Sequence, residues 1–298
     1  MPHTRSGFNP PAMALLAALL VWPAAASSAA VDTYFERGFM VEAGARCRLF
    51  APEVQSALIS AREQARGVAL REGASVAGLR SVADRARTRG LSTPCDSAEL
   101  AAAARRVRSG FEGYARTIRQ DFAGDRLGWK ADRSISRQQV LWRLSQDVTQ
   151  DGSRMRFGIA GRGGADSLMA VASFPGGASP YAARIVMRDQ RLTAGAYLDM
   201  RGESLRTLPL PRRIPPGGPF VSYTAEARSP AGEDLLMAGV KSGWAFRFPA
   251  KAAAAISELD PREAIIVEFL FSSGPSRRLH VEVGDFAAAR AFLSITRS

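Results

Sequence analysis

The stretch AIIVEFLFSSGPSRRLHVEV at residues 264–283 contains two runs in which every second side chain is apolar, separated by a turn cluster at 272–275. A period of two predicts β-strands, and Gly-Pro at the turn predicts a hairpin. Glu268 lies on the opposite face of the first strand, where it can pair with Arg278 or His280 across the hairpin. The apolar positions on the shared face are Ile265, Val267, Phe269, Phe271, Leu279, Val281 and Val283.

The period-two pattern extends back from this hairpin to Gln139, with turn clusters rich in glycine and proline between the runs. Many short strands joined by regular turns predict an antiparallel β-sandwich-like domain over residues 139–298. Short helices are predicted at 250–259 and after Asp285, which can cap the last one. The other predicted strands are 140–147, 154–160, 167–174, 182–187, 193–199, 220–228, 234–240 and 244–248.

Residues 31–125 show apolar spacings of three and four instead, which predict four helices in a bundle-like domain. Asp96 is predicted to cap the fourth helix, with Glu99 completing a capping box. The apolar stripe of that helix continues to Phe122. Residues 126–138 are interpreted as a linker, so the predicted fold is α+β with two domains. The predicted helices are 32–50, 52–73, 75–87 and 96–122.

Cys47 and Cys95 are the only cysteines in the chain. Redox pairs usually lie two residues apart, so the long spacing favours a structural disulfide. Such a bridge would join the end of the first helix to the start of the fourth. It would close a loop of 49 residues, counting both cysteines, and contribute about 4 kcal/mol through the unfolded state.

The N-terminus has the three parts of a secretory signal peptide: Arg5, an apolar run at 12–21, and small residues up to Ala30. A cut before Val31 is favoured, and a cut after the alanines at 24–26 is the alternative. An uncleaved anchor is disfavoured because a membrane helix needs about 20 apolar residues. Residues 1–30 are therefore predicted to be a signal peptide, which predicts a periplasmic protein, with secretion from the cell as the alternative.

The chain is basic, with 40 Lys and Arg against 28 Asp and Glu, and it keeps a net charge of +11 once Arg5 leaves with the signal peptide. An exported cation of this size is attracted to anionic headgroups, lipopolysaccharide or acidic envelope polymers. We expect peripheral rather than integral membrane contact, and the periplasmic address argues against nucleic acid. The alternative is that the charge only keeps the protein soluble.

Six arginines are candidate binding residues. Four lie opposite the apolar stripe of the fourth predicted helix, and the alternative there is an ordinary solvated helix face. Two lie in the segment LPLPRRIPP at 208–216, interpreted as a stiff loop across the β domain rather than a ligand for proline-binding domains. The six are Arg105, Arg108, Arg116, Arg119, Arg212 and Arg213.

The segments WAFRFP at 244–249 and VGDFAAARAFL at 283–293, with the Ala-rich helix between them, resemble bacterial exported proteins of the invasion-associated locus B type. The resemblance covers the last third of the chain. It implies a periplasmic β-sandwich without established catalysis. This chain departs from the family because its β-rich half contains no cysteine.

Common catalytic and metal-binding patterns find little support. Outside the signal peptide His280 is the only histidine, which excludes a histidine-rich zinc site and disfavours a Ser-His-Asp hydrolase. The triplet KSG at 241–243 has no Ser-x-x-Lys partner motif, and the glycine-rich run at 158–164 lacks a phosphate-binding lysine. We therefore predict no catalytic residue, no metal and no cofactor.

The sequence thus favours an exported, non-catalytic protein that associates with an envelope protein or an anionic envelope polymer. The alternative is a periplasmic hydrolase that uses carboxylates, or Lys241 beside Ser242, in place of histidine. A third hypothesis is a chaperone or inhibitor with an apolar groove between the helices and the sheets.

Overall fold

The computed structural model describes residues 28–295, and the following bounds refer to that part of the chain. Four helices come first and two follow late in the chain. The predicted signal peptide lies outside the described residues except for its last three, which form the start of the first helix, so the favoured cut falls within that helix's first turn. The helices are α1 Ser28–Cys47, α2 Pro52–Arg71, α3 Val76–Ser92, α4 Ala98–Arg116, α5 Ala250–Glu258 and α6 Phe286–Leu293.

The strands form two antiparallel sheets, which confirms the α+β class with its helices at the N-terminal side. A seven-stranded sheet has the order β1-β2-β3-β4-β5-β9-β8, and a four-stranded sheet has the order β11-β10-β6-β7. The strands are β1 Arg119–Phe122, β2 Trp129–Asp132, β3 Leu141–Gln150, β4 Ser153–Arg162, β5 Ala165–Ser173, β6 Ala182–Arg188, β7 Phe220–Thr224, β8 Ala227–Pro230, β9 Trp244–Phe248, β10 Ala264–Leu270 and β11 Arg277–Glu282.

The hairpin at 264–283 forms as the alternation predicts, with Glu268 directly opposite Arg278. Its apolar face is buried against the other sheet. The rings of Phe246 on β9 and Phe269 on β10 are 5.4 Å apart between centroids, and Phe174 lies 5.0 Å from Phe269. Both sheets therefore contribute side chains to one core.

The starts of the N-terminal helices follow from local chemistry. Pro52 occupies the first turn of α2, where its missing N–H costs nothing. The Ser75 hydroxyl accepts from the Gly78 N–H at 2.9 Å and caps α3. The prediction for α4 was wrong by one residue: Ser97 rather than Asp96 caps it, accepting from the Leu100 N–H at 3.2 Å.

The end of α4 also differs from the prediction, because the helix stops at Arg116 and residues 119–122 form β1 instead. The buried Arg133 guanidinium donates to the carbonyl groups of Ala115 and Thr117, at 2.7 and 2.8 Å, and satisfies the helix end. Phe122 is still buried, now from a strand. Its spacing continued the helical stripe by coincidence.

The predicted linker at 126–138 contains β2 instead of a flexible connection. Trp129 is fully buried there, and its indole N–H donates to the Val283 carbonyl at 2.9 Å. The helices contact the β-rich half directly, since the Ser60 hydroxyl on α2 donates to the Ala288 carbonyl on α6 at 2.9 Å. The division into two domains therefore stays a prediction.

Two predicted strands are irregular, and a third is divided. The segment at 193–199 is irregular instead of forming a strand, and Thr193 at its start donates its hydroxyl back to the Asp189 carbonyl at 2.7 Å. Residues 233–235 form a 3₁₀ turn that overlaps the start of the predicted strand at 234–240. The predicted strand at 220–228 is divided between β7 and β8, which belong to different sheets.

The Cys47–Cys95 disulfide is present, with the two Cα atoms 5.6 Å apart, as the cysteine count predicts. It joins the last residue of α1 to the segment that precedes α4. A disulfide is compatible with export. Within residues 28–295, none of the helices has the length and hydropathy that a bilayer-spanning segment requires.

Candidate functional site

Three of the predicted binding arginines share the solvent side of α4. Arg105, Arg108 and Arg116 are exposed, while Leu100 and Ala104 of the same helix are buried. Their spacings of three and eight residues place the three side chains on one helix face. We call Arg105, Arg108 and Arg116 the α4 arginine face.

Little inside the protein neutralises this face. Arg108 donates through Nε and Nη2 to the Leu49 carbonyl, at 3.3 and 3.0 Å, and keeps its positive charge. In the described part of the chain, the guanidinium groups of Arg105 and Arg116 have no hydrogen-bond or ion-pair partner. Glu112 is exposed on the same side of the helix, which leaves the surface with an excess of two positive charges.

A groove of about 560 Å³ lies between α1 and α4, and its lining on α4 comes from positions other than the arginine face. Phe35, Phe39 and Phe111 form part of its apolar lining, and Arg106 lines it rather than pointing with the arginine face. The rim also carries acidic side chains, among them Glu99, which pairs with Arg89 at 2.8 Å. Charges of both signs therefore surround the groove, whereas the α4 arginine face is predominantly positive.

Arg119 does not belong to the helix face for which it was predicted. It lies on the edge strand β1, and its Nε donates to Asp132 Oδ2 at 2.7 Å. Burial raises the pKa of Asp132, but hydrogen bonds from Ser134 and Arg119 outweigh burial and hold that pKa below its usual value. Arg119 is therefore a surface ion-pair partner.

Arg212 and Arg213 lie in a segment that crosses the outer side of the four-stranded sheet, which we call the proline strap (residues 208–217). Arg212 pairs with Glu203 and lies 3.6 Å from Asp199. Arg213 has no exposed surface and donates to Glu282 Oε1 at 3.0 Å and to Asp125 Oδ2 at 3.1 Å. A surface ligand cannot reach Arg213, so its prediction as a binding residue was wrong, because the chain uses it to fix the strap internally.

Glu282 is the acceptor at the centre of this buried contact. It accepts from the backbone N–H groups of Asp125, Arg126 and Leu127, at 2.6, 2.9 and 2.6 Å, as well as from Arg213. Burial raises the pKa of Glu282 above its usual value, although these donors act in the opposite direction. A carboxylate so fully occupied holds a loop in place and leaves no lone pair for a substrate.

The hydrolase alternative receives no support from the groups it would need. Lys241 and Ser242 are exposed, although the mechanism would place them in a deep pocket. The buried Glu263 accepts hydrogen bonds from Arg188 Nε and Nη2, at 2.5 and 2.8 Å, and from the Asp260 N–H at 3.1 Å, so it is fully engaged within the protein. Within residues 28–295, no group of three or more His, Cys, Asp or Glu side chains is arranged to hold a metal ion.

A second cluster of charge lies on the outer face of the four-stranded sheet. Glu268 on β10 is nearly buried between Arg184 on β6 and Arg278 on β11, as the paired registers require. Arg184 Nε donates to Glu268 Oε2 at 2.6 Å, and Arg278 Nε donates to Oε1 at 2.8 Å. The predicted pairing of Glu268 with Arg278 is thus present. The sequence pattern did not identify Arg184, because only the sheet register brings it beside Glu268.

This cluster makes stability depend on pH. Burial raises the pKa of Glu268, but hydrogen bonds from Arg278, Arg184 and Ser276 outweigh burial and hold that pKa below its usual value. A lowered carboxyl pKa stabilises the fold above the unfolded-state pKa, and the stabilisation is lost as the pH falls through the folded-state pKa. We expect Glu268→Gln to lower the free energy of unfolding at pH 7 by about 1 kcal/mol, since both arginines are partly exposed and screened.

That difference between the parent and Glu268→Gln should shrink as the pH falls from about 5 to 3, measured by urea unfolding at each pH. The exposed Glu226 offers a matched control, because Glu226→Gln removes the same charge and none of these hydrogen bonds. A Glu268→Gln difference that stays constant over this range would contradict the assignment.

Comparisons of the chain with protein-family models, curated proteins and solved structures find no match. The resemblance to the invasion-associated locus B type therefore stays a prediction.

Proposed function

We propose that this protein is an exported, non-catalytic envelope protein that associates with an anionic envelope component through the α4 arginine face. The observation that supports the proposal most strongly is the exposure of Arg105, Arg108 and Arg116 on one side of a single helix, where no acidic side chain of residues 28–295 forms an ion pair with them. The signal peptide predicted at 1–30 would bring this face to the periplasm.

The geometry suits a surface of repeated anionic groups better than a single small anion. From Arg105 to Arg116 the helix rises by about 16 Å, so the guanidinium groups can contact several headgroups or sugar phosphates at once. Each Arg near an anionic surface contributes about 1 kcal/mol, and the net positive charge of the whole chain adds long-range attraction. The disulfide, two residues before Leu49, holds the loop that Arg108 contacts.

The finer architecture belongs to the same proposal. A bundle-like helical domain would present the arginine face, and a sandwich-like β domain would support the helical domain. The shared contacts between α2 and α6 would keep the two from moving independently. An anionic lipid surface, a polymer such as lipopolysaccharide, and an acidic envelope protein would each meet the same three arginines.

Sedimentation with lipid vesicles tests the proposal. We expect the oxidised protein to bind phosphatidylglycerol vesicles at low ionic strength and to dissociate from them as salt is added. It should not bind phosphatidylcholine vesicles. The variant Arg105→Glu/Arg108→Glu/Arg116→Glu should lower the partition coefficient by about 100-fold, since three contacts of about 1 kcal/mol are lost.

The matched control carries the same change in net charge at three other exposed positions, Arg137→Glu/Arg162→Glu/Lys241→Glu. We expect it to reduce binding less than tenfold, through the long-range field alone. An equal loss in both variants would reject the α4 arginine face as the contact surface. Failure of the parent protein to bind anionic vesicles at low salt would reject association with anionic lipid.

A further inference from the structure

A cleft of about 650 Å³ lies on the outer face of the four-stranded sheet, beneath the proline strap. Val186 on β6 and Ile266 on β10 are adjacent in register and form part of its floor. Residues of the strap, including Ile214 and Pro215, form one wall. Ile266 is only 8% exposed although it faces away from the sheet core, so the strap shelters the floor from bulk water.

The strap is held over the sheet by buried contacts. Arg213 reaches down from it to Glu282 at the end of β11 and to Asp125, and Ile214 is buried beside it. The cleft is therefore formed before any ligand arrives, which reduces the ordering cost of binding. Phe220, 39% exposed, lies at the edge of the cleft and adds apolar surface there.

The other side of the cleft is cationic. Arg184 and Arg278 both line it, and both use Nε to bind Glu268, which fixes the planes of their guanidinium groups. Among the described residues, the terminal Nη groups of these two arginines have no protein partner. The three side chains together carry one excess positive charge, so one anionic group would balance them.

His280 on β11 also lines the floor of the cleft and lies opposite Ile266 in the register of β10 and β11. Its Nδ1 lies 3.1 Å from Gln150 Oε1, an arrangement in which Nδ1 donates and Nε2 is left as an acceptor. Burial and the nearby Arg278 lower the pKa of His280, and Asp151 opposes them. The direction of this shift favours the neutral imidazole, and the arginines supply the positive charge of the cleft.

We propose that this cleft binds a small amphiphilic carboxylate, with its carboxylate on the Nη groups of Arg184 and Arg278 and its hydrocarbon chain over Val186 and Ile266 beneath the strap. A bidentate match between guanidinium and carboxylate supplies the directional contacts, and the sheltered apolar floor accepts the chain. The single excess charge fits one carboxylate, and the volume is that of a small-molecule site. This proposal shares no residue with the α4 arginine face.

Isothermal titration with decanoate, below its micelle-forming concentration, tests the proposal. We expect saturable binding of decanoate, binding of decanol at least tenfold weaker, and no binding of decyltrimethylammonium, because only the carboxylate engages the arginines. Equal binding of decanoate and decanol would overturn the proposal, as would absence of decanoate binding at millimolar concentration.

A pair of matched variants distinguishes binding at this site from a general effect of the protein's positive charge. Arg278→Gln should weaken decanoate binding about tenfold or more, whereas Arg277→Gln, which removes the same charge from the opposite face of β11, should not. Equal weakening by these two variants would reject the site. Ser222→Trp places a large ring in the cleft without removing a charged group, and should abolish binding while the fold, checked by circular dichroism, is kept.

The two proposals fail independently. The variant Arg105→Glu/Arg108→Glu/Arg116→Glu should bind decanoate with the parent affinity. A loss of decanoate binding in that variant would contradict the assignment of the carboxylate to Arg184 and Arg278.

Discussion

Replacing Arg213 by methionine should lower the free energy of unfolding at pH 7 by about 3–5 kcal/mol. The guanidinium group has no exposed surface and donates to Glu282 at 3.0 Å and to Asp125 at 3.1 Å. Methionine replaces its volume but not its charge, so Glu282 would stay buried without its cation. Removing one partner of a buried ion pair costs far more than the pair itself contributes, because the other charge stays desolvated.

The pH dependence of this loss follows from the direction of the Glu282 pKa. Burial already raises that pKa above its usual value, and loss of Arg213 removes one of the groups that oppose burial. A carboxyl group whose folded-state pKa is raised favours the fold below its unfolded-state pKa, and this stabilisation is lost as the pH rises through the folded-state pKa. The destabilisation by Arg213→Met should therefore be largest near pH 7 and smaller toward pH 4.

Urea unfolding monitored by tryptophan fluorescence measures the effect, and the adjacent Arg212 offers the control. Arg212 is partly exposed in its ion pairs, so Arg212→Met should cost about 1 kcal/mol or less. Adding Glu282→Gln to Arg213→Met should recover part of the loss, because a neutral amide no longer needs a cation. Equal destabilisation by Arg212→Met and Arg213→Met would show that Arg213 does not support the fold through buried charge.

The parts of this fold that sequence reasoning identified are those fixed by local periodicity. The hairpin at 264–283 and α2 each bury one stripe, and their stripes are regular. The end of α4 could not be identified in the same way, because it depends on Arg133, which donates to the last carbonyl groups from far along the chain. The strand β2 was missed because its residues were interpreted as part of a linker and one of its two neighbours, β1, was assigned to a helix.

The proposed binding residues also differ in whether local spacing or distant contacts determine their positions. The α4 arginine face was predictable because Arg105, Arg108 and Arg116 lie on a single helix, where spacing alone determines the face. The burial of Arg213 was not, since it depends on contacts with Glu282 and Asp125, which lie 69 and 88 residues away in the chain. Adjacent arginines in a proline-rich segment look alike in sequence, and only the packing of the strap distinguishes them.

The disulfide supplies the second large effect, and replacing both Cys47 and Cys95 by serine should lower the free energy of unfolding by about 4 kcal/mol. The bridge joins residues 48 positions apart, and the estimate is the loop-closure entropy that it removes from the unfolded chain. Native contacts at the junction should survive its loss, because Arg46 donates to the Gly90 and Thr93 carbonyl groups independently of the cysteines.

The loss of the disulfide should therefore destabilise the protein through its unfolded state and leave the folded state unchanged. The serine variant should keep the native circular dichroism spectrum and the vesicle binding of the parent, while its urea midpoint falls and its m-value rises as the unfolded chain exposes more surface. Adding dithiothreitol to the parent protein should reproduce the shift, and the serine variant should not respond. If the variant instead loses vesicle binding while still folded, the bridge positions the α4 arginine face through Leu49 and Arg108 as well as restricting the unfolded chain.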